Sequence, residues 1–314
     1  MNNTSGSLRK PALWAGCAAL AVAISAPAMA APIIMEGDFV RTAISDDGTL
    51  GFGGTTSPGL LHDPSGTRTW GLEDYLTPGS PWEMFGVKAD QFGNVSNNNS
   101  NVGSSSIMAT SGLSDLSAGS AFDNHVLWGG TYGGLFNITH EYIFNDSYER
   151  IDILTSIEAL TDLTGLKFLR AIDPDPDVNT FGSFDTINTR GGAGIAEEDF
   201  VNSQGAQTGL TLGLYTNSAI EHNTGITSSW SNDPDTYLAG WNDGNGDNVI
   251  GLAFNIGDLF QGELVKLSYS YVMGETLENV DIPDDPVTSV PEPGTLTLFG
   301  LGLAGLVGLR RRTK

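Results

Sequence analysis

The chain has 314 residues, a formal charge of −23, 16% charged residues, 41 glycines and a single cysteine. Between Ala31 and Pro293, eight bases stand against all 37 acids, a net of −29; such a surface repels phosphate backbones and argues against nucleic-acid binding. The cysteine, Cys17, lies near the N-terminus, so the remainder has neither disulfides nor a thiol nucleophile, and the Gly-rich, low-charge composition favours strands joined by turns.

The N-terminus reads as a signal peptide over residues 1–30. Arg9-Lys10 is its basic region, Ala12 to Ile24 its apolar run, and Ala28 and Ala30 are the small residues that a signal peptidase reads before Ala31. A lipoprotein site at Cys17 and an uncleaved anchor are the alternatives. Most of the apolar run follows Cys17, and the run is short for a membrane span.

Residues 31–277 read as the ectodomain. Up to Ser120 the chain looks loop-rich, with turn composition at Gly51–Gly54 and Asn97–Asn101 and strands at Ile33–Thr42 and Trp82–Ala89. A domain boundary near residue 120 is an alternative to one continuous unit. From Leu127 the pattern sharpens. Phe136, Ile138, His140, Tyr142 and Phe144 alternate with Asn137, Thr139 and Glu141, and Ile151, Ile153, Thr155, Ile157 and Ala159 follow after an Asn-Asp-Ser turn. Period two places each set on one face of an antiparallel pair. Further strands are expected at Leu166–Ile172, Thr208–Thr216, Val249–Ile256 and Leu264–Met273, and one helical turn at Glu197–Asn202. The expected class is all-β, an antiparallel sandwich or jelly-roll-like domain. Residues 278–289 read as an acidic linker.

Two acidic loops could hold a metal. Asp173, Asp175 and Asp177 are separated by prolines, and carboxylates so close repel unless water or a cation screens them. Calcium accepts six to eight oxygens from irregular loops, so this run is either a calcium site or a solvated acidic loop. Asp243, Asn245 and Asp247 occupy positions 1, 3 and 5 of a calcium loop, yet Asn248 stands where Gly is expected and Phe254 where the bidentate Glu is expected. A turn is the competing reading there. Trp230 and Trp241 lie in polar loops and are candidates for carbohydrate contact, whereas tryptophans on strands fill cores. His62, His125, His140 and His222 form no metal-binding pattern, and no Gly-x-Ser-x-Gly elbow or Gly-x-x-x-x-Gly-Lys phosphate loop is present. No catalytic residue stands out and no enzyme is expected; calcium is the one cofactor the residues suggest.

The C-terminus carries Val290, Pro291, Glu292, Pro293 and Gly294, then fifteen uncharged residues from Thr295 to Leu309, then Arg310, Arg311 and Arg312. The uncharged run is expected to form a short membrane helix (295–309) with the arginines held on the cytoplasmic side. Two prolines keep the Pro-Glu-Pro site extended at the opposite boundary. In this order the features over 290–314 resemble the PEP-CTERM sorting domain of Gram-negative bacteria. The resemblance implies recognition of the tail by a membrane-embedded exosortase, its removal, and a link to exopolysaccharide, biofilm or floc. The expectation is therefore an exported, non-enzymatic envelope or matrix protein that passes through an inner-membrane intermediate. Signal peptidase and exosortase are its processing partners and exopolysaccharide a candidate partner. The alternatives are a calcium-stabilised carbohydrate-binding sandwich and a secreted glycan hydrolase.

Overall fold

The computed structural model describes residues 31–284, except 72 and 102–104. The signal peptide with Ala28 and Ala30, the sorting motif from Val290 to Gly294, the 295–309 segment and Arg310 to Arg312 lie outside the described residues. Among those described, no helix is long and apolar enough to cross a membrane.

Sixteen strands are described: β1 (Ile33–Glu36), β2 (Val40–Ile44), β3 (Leu60–His62), β4 (Glu83–Ala89), β5 (Gly93–Asn98), β6 (Met108–Asp115), β7 (Asn124–Tyr132) and β8 (Phe136–Phe144). They continue with β9 (Arg150–Ala159), β10 (Leu163–Ile172), β11 (Thr186–Arg190), β12 (Phe200–Gly205), β13 (Thr211–Tyr215), β14 (His222–Thr227), β15 (Val249–Leu259) and β16 (Leu264–Gly274). Eight form one sheet in the order β11-β12-β13-β16-β9-β8-β7-β6, five form a second in the order β14-β15-β10-β4-β5, and β1-β2-β3 make a small third. Each of these strand pairs is antiparallel. The domain is the expected antiparallel β-sandwich.

The alternation explains the layering. On β8, Phe136, Ile138, His140, Tyr142 and Phe144 are buried while Asn137, Thr139 and Glu141 are half-buried. These side chains meet Phe85, Val87, Phe168, Leu252 and Phe254 of the five-stranded sheet in one core that runs from Met35 to Met273. Strands β6 and β7, on either side of residue 120, pair within one sheet.

The smaller sheet is covered on its other face too. Trp82, Met84, Leu169, Ala171, Val249 and Ala253 form a second cluster closed by Tyr237, with Trp230 and Leu238 packed against it. Tyr237 belongs to helix α2 (Pro234–Leu238; α1 is the single turn Val178–Phe181), whose start is capped by the Asp233 carboxylate accepting from the Asp235 amide. Its ring lies on a row without side chains: a Cβ at Gly251 would sit 2.4 Å, and one at Gly225 2.9 Å, from ring carbons of Tyr237. A helix can approach this sheet so closely because those positions are glycine.

Local patterns missed several features. Asn97 lies in β5 rather than a loop; its amide nitrogen donates to the carbonyls of Asp47 and Ile107, and its oxygen accepts from the Ile107 amide. The expected helical turn at Glu197–Asn202 is a turn that runs into β12 at Phe200. Strand β2 ends at Ile44, separated from β1 by a turn within the span read as one strand. The start of the linker packs on the domain: Asp281 accepts from the Glu149 amide and pairs with Arg150 at 2.6 Å.

A candidate cation and ligand cavity

Strand β10 delivers the first carboxylate. The Asp173 amide donates to the Trp82 carbonyl just before β4 (2.9 Å), and the Asp175 amide to the Tyr75 carbonyl (2.9 Å). Proline on either side of Asp175 holds the segment extended between these anchors. The third carboxylate comes from 72 residues further on: Asp247 lies in the loop before β15, and one carboxylate oxygen from each of Asp173, Asp175 and Asp247 falls within 4.8 Å of the others.

The loop bearing Asp247 is braced by hydrogen bonds that use up its neighbours. Gly246 and Thr186 exchange backbone bonds at 3.0 and 3.2 Å. Asn245 Oδ1 accepts from the Asn188 amide, and the Gly244 carbonyl accepts from the side chains of Asn188 and Asn248. Asp243 accepts from the Ser228 amide and hydroxyl at 2.7 Å and from Trp241 Nε1 at 2.8 Å. Of the three 1-3-5 residues, two are engaged in hydrogen bonds within and around the loop. Asp243 and Asn245 are consumed in holding it, and Asp247 is the carboxylate it presents.

Asp177 is withdrawn in the same way. It accepts from the Gln207 amide (2.7 Å), the Thr208 amide (3.1 Å) and the Thr208 hydroxyl (2.6 Å). Each acidic motif thus contributes only part of its expected set, and the two parts make one cluster.

Asp173 and Asp175 differ from the other buried acids in having no donor, and the exposed Asp247 has none either. Asp47 accepts from Ser45, Thr49 and Ser105, and Asp74 from the amides of Gly59, Leu60, Leu76 and Thr77. Among the described residues, no hydrogen bond reaches the three clustered carboxylates, and Asp175 Oδ1 is a buried oxygen without a partner. Burial, then the Asp247 charge, pushes Asp173 up to about 7. Burial, then the charges of Asp173 and Asp247, pushes Asp175 up to about 9. Asp247 is raised by burial and by Asp185. Three acids held together without a donor are an arrangement that a bound cation would relieve.

The carboxylates line a cavity of about 240 Å³ together with Gly79, Ser80, Phe184 and Trp230. Trp230 has φ +51, a left-handed backbone conformation unusual for a bulky residue, and its ring tilts against that of Trp82 at 6.0 Å. Phe184, 39% exposed, packs on the Gly79 backbone, where a Cβ would meet its ring at 2.5 Å. Trp241, 54% exposed, is tied to Asp243 and is not among the residues lining the cavity. Of the two tryptophans expected to contact sugar, only Trp230 joins the acids. Phe184 and Ser80 were missed; the one local signal was an aromatic in a Gly-Ser loop shortly after the acidic run.

No curated protein matches the chain. Among solved structures, it is similar to a bacterial glucoamylase complexed with acarbose (TM-score 0.47, 10% identity), over 77% of this chain and 32% of that one. It is also similar to a heparan sulfate lyase from Pedobacter heparinus (TM-score 0.37, 6% identity, 77% of this chain and 36% of that one). A third is the Slr1438 protein from Synechocystis sp. (TM-score 0.36, 7% identity, 78% of this chain and 96% of that one). The chain thus spans about a third of the length of the two enzymes. Residues 289–312 match the model of the PEP-CTERM protein-sorting motif, and the chain accordingly carries this C-terminal signal for export and exosortase-type sorting.

Proposed function

We propose that this is a non-enzymatic protein of the cell envelope or extracellular matrix, associated with exopolysaccharide in a biofilm or floc, whose sandwich binds calcium at Asp173, Asp175 and Asp247. The leader is removed after Ala30 by signal peptidase, and the tail is processed at Pro291-Glu292-Pro293. The sorting motif supports the route. The observation that carries the cation site is the convergence of three donor-free carboxylates within 4.8 Å, one with an unpartnered buried oxygen. Calcium suits oxygen-only ligands on irregular loops better than magnesium, which demands near-octahedral geometry.

The test is thermal unfolding in calcium against chelator. At a calcium concentration a hundredfold above Kd, binding adds about 2.7 kcal/mol, which for a domain of this size raises Tm by roughly 5–10 °C. Asp247→Asn is expected to remove the shift. An unchanged Tm in the parent protein, or a full shift in the variant, overturns the assignment.

A further inference from the structure

We propose that the calcium-loaded cavity recognises a neutral sugar through a vicinal diol, with two hydroxyls on the cation and the ring against Trp230 and Phe184. This rests on the calcium reading above and names the ligand class of that site.

Three features support it. The first is coordination. Calcium takes six to eight oxygens, and three carboxylates supply between three and six. The remaining positions open into a cavity of about 240 Å³, room for roughly eight waters at ~30 Å³ each, which is more than one ion requires.

The second is the walls. Trp230 and Phe184 are the aromatic lining residues, and each is held by its neighbours. Trp230 is seated on Trp82, and the Phe184 ring fills the space that a side chain at Gly79 would take. Fixed aromatic rings with a few convergent polar groups suit a ligand that has an apolar face and a polar edge. A pyranose offers C–H groups on its face and hydroxyls at its rim.

The third is charge. Three carboxylates and a divalent cation leave a net charge of about −1 in the cavity, by unit-charge counting. No basic side chain lines it, and Asp185 adds its charge beside Asp247. A uronate or sulfated sugar is repelled there. A neutral hydroxyl both ligates calcium through its oxygen and donates its proton to a carboxylate, and Asp175 Oδ1 has no other donor.

The experiment uses the purified full chain in sugar-free detergent, with methyl α-mannoside, methyl β-galactoside and galacturonate oligomers as probes. Titration calorimetry and tryptophan emission read binding, in calcium and in chelator. Saturable binding of a neutral glycoside is expected in calcium, lost in chelator, and at least tenfold tighter than galacturonate. Phe184→Ala and Trp230→Gly (Gly accepts φ +51) are each expected to weaken it at least tenfold; Phe184 is exposed enough that its removal should leave the fold intact. A calcium-dependent rise in Tm with no binding of either glycoside overturns the sugar inference and leaves the cation reading standing. Binding that survives chelation, or favours galacturonate, also overturns it. No calcium effect on Tm removes both.

Discussion

Replacing Glu83 by Gln removes half of a fully buried ion pair. Glu83 and Arg170 are both fully buried, with Arg170 Nε 2.5 Å from Glu83 Oε1. Glu83 also accepts from the Tyr271 hydroxyl (2.7 Å) and the Leu50 amide (2.8 Å), and Arg170 Nη1 donates to the Tyr142 hydroxyl (3.2 Å). Burial alone pushes Glu83 up, and Arg170 opposes it; Arg170, disfavoured by burial, is held well above its usual range by Glu83 and the surrounding tyrosines. Each charge persists because of the other. Glu83→Gln keeps one acceptor oxygen, for Tyr271 or for Leu50, turns the other position into a donor, and strands the guanidinium. Breaking one side of a buried pair costs about 3–5 kcal/mol, which lowers Tm on the order of 10 °C for a domain of this size. Arg170→Met alone should cost a similar amount. The double variant should recover most of the loss, because a buried pair replaced on both sides is close to neutral. Urea unfolding of the four proteins gives the cycle directly, with a coupling of several kcal/mol expected. A loss under about 1 kcal/mol in Glu83→Gln, or additive single losses, would refute the reasoning. The pair also underlies the cavity: Glu83 is in register with Ile172, one residue before Asp173.

Two further outcomes follow from the packing and the acids. Asp63 accepts from Ser65, Thr67 and Thr69; burial pushes it up, but these hydrogen bonds prevail and hold it at about 2, below the usual 3.8. Its stabilisation is therefore complete above about pH 4 and is lost as pH falls toward 2. Asp63→Asn should cost about 1 kcal/mol at pH 7, discounted because the loop faces solvent, and should flatten the acid limb of the Tm–pH curve; an unchanged limb counts against this. Gly251→Ala places a methyl 2.4 Å from the ring of Tyr237. Overpacking of this kind costs about 1–3 kcal/mol, read as a fall in the urea midpoint, and full stability in the variant would mean that α2 is not held as described.

Much of this protein was legible locally. Alternation of apolar and polar residues in β8 and β9 marked the strands, because a side-chain period of two is a property of neighbouring residues. The sorting signal was legible for the same reason: its motif, apolar run and arginines are contiguous. Sequence spacing also brought out both acidic loops and Trp230. It failed where a polar residue was spent on a distant partner. Asn97 looked like loop composition, yet it bridges Asp47 and Ile107 inside the core.

The cavity itself belongs to the tertiary structure. Asp173, Asp175 and Asp177 look equivalent in sequence, as do Asp243, Asn245 and Asp247, because spacing reports proximity along the chain and says nothing of which donors arrive from elsewhere. Folding gives Asp177 to Thr208, Asp243 to Ser228 and Asn245 to Asn188, and leaves Asp173, Asp175 and Asp247 facing one another. The residues capable of the chemistry were set by the chain; which of them remain free to perform it was decided by donors 15 to 57 residues away in sequence, where no local pattern reaches.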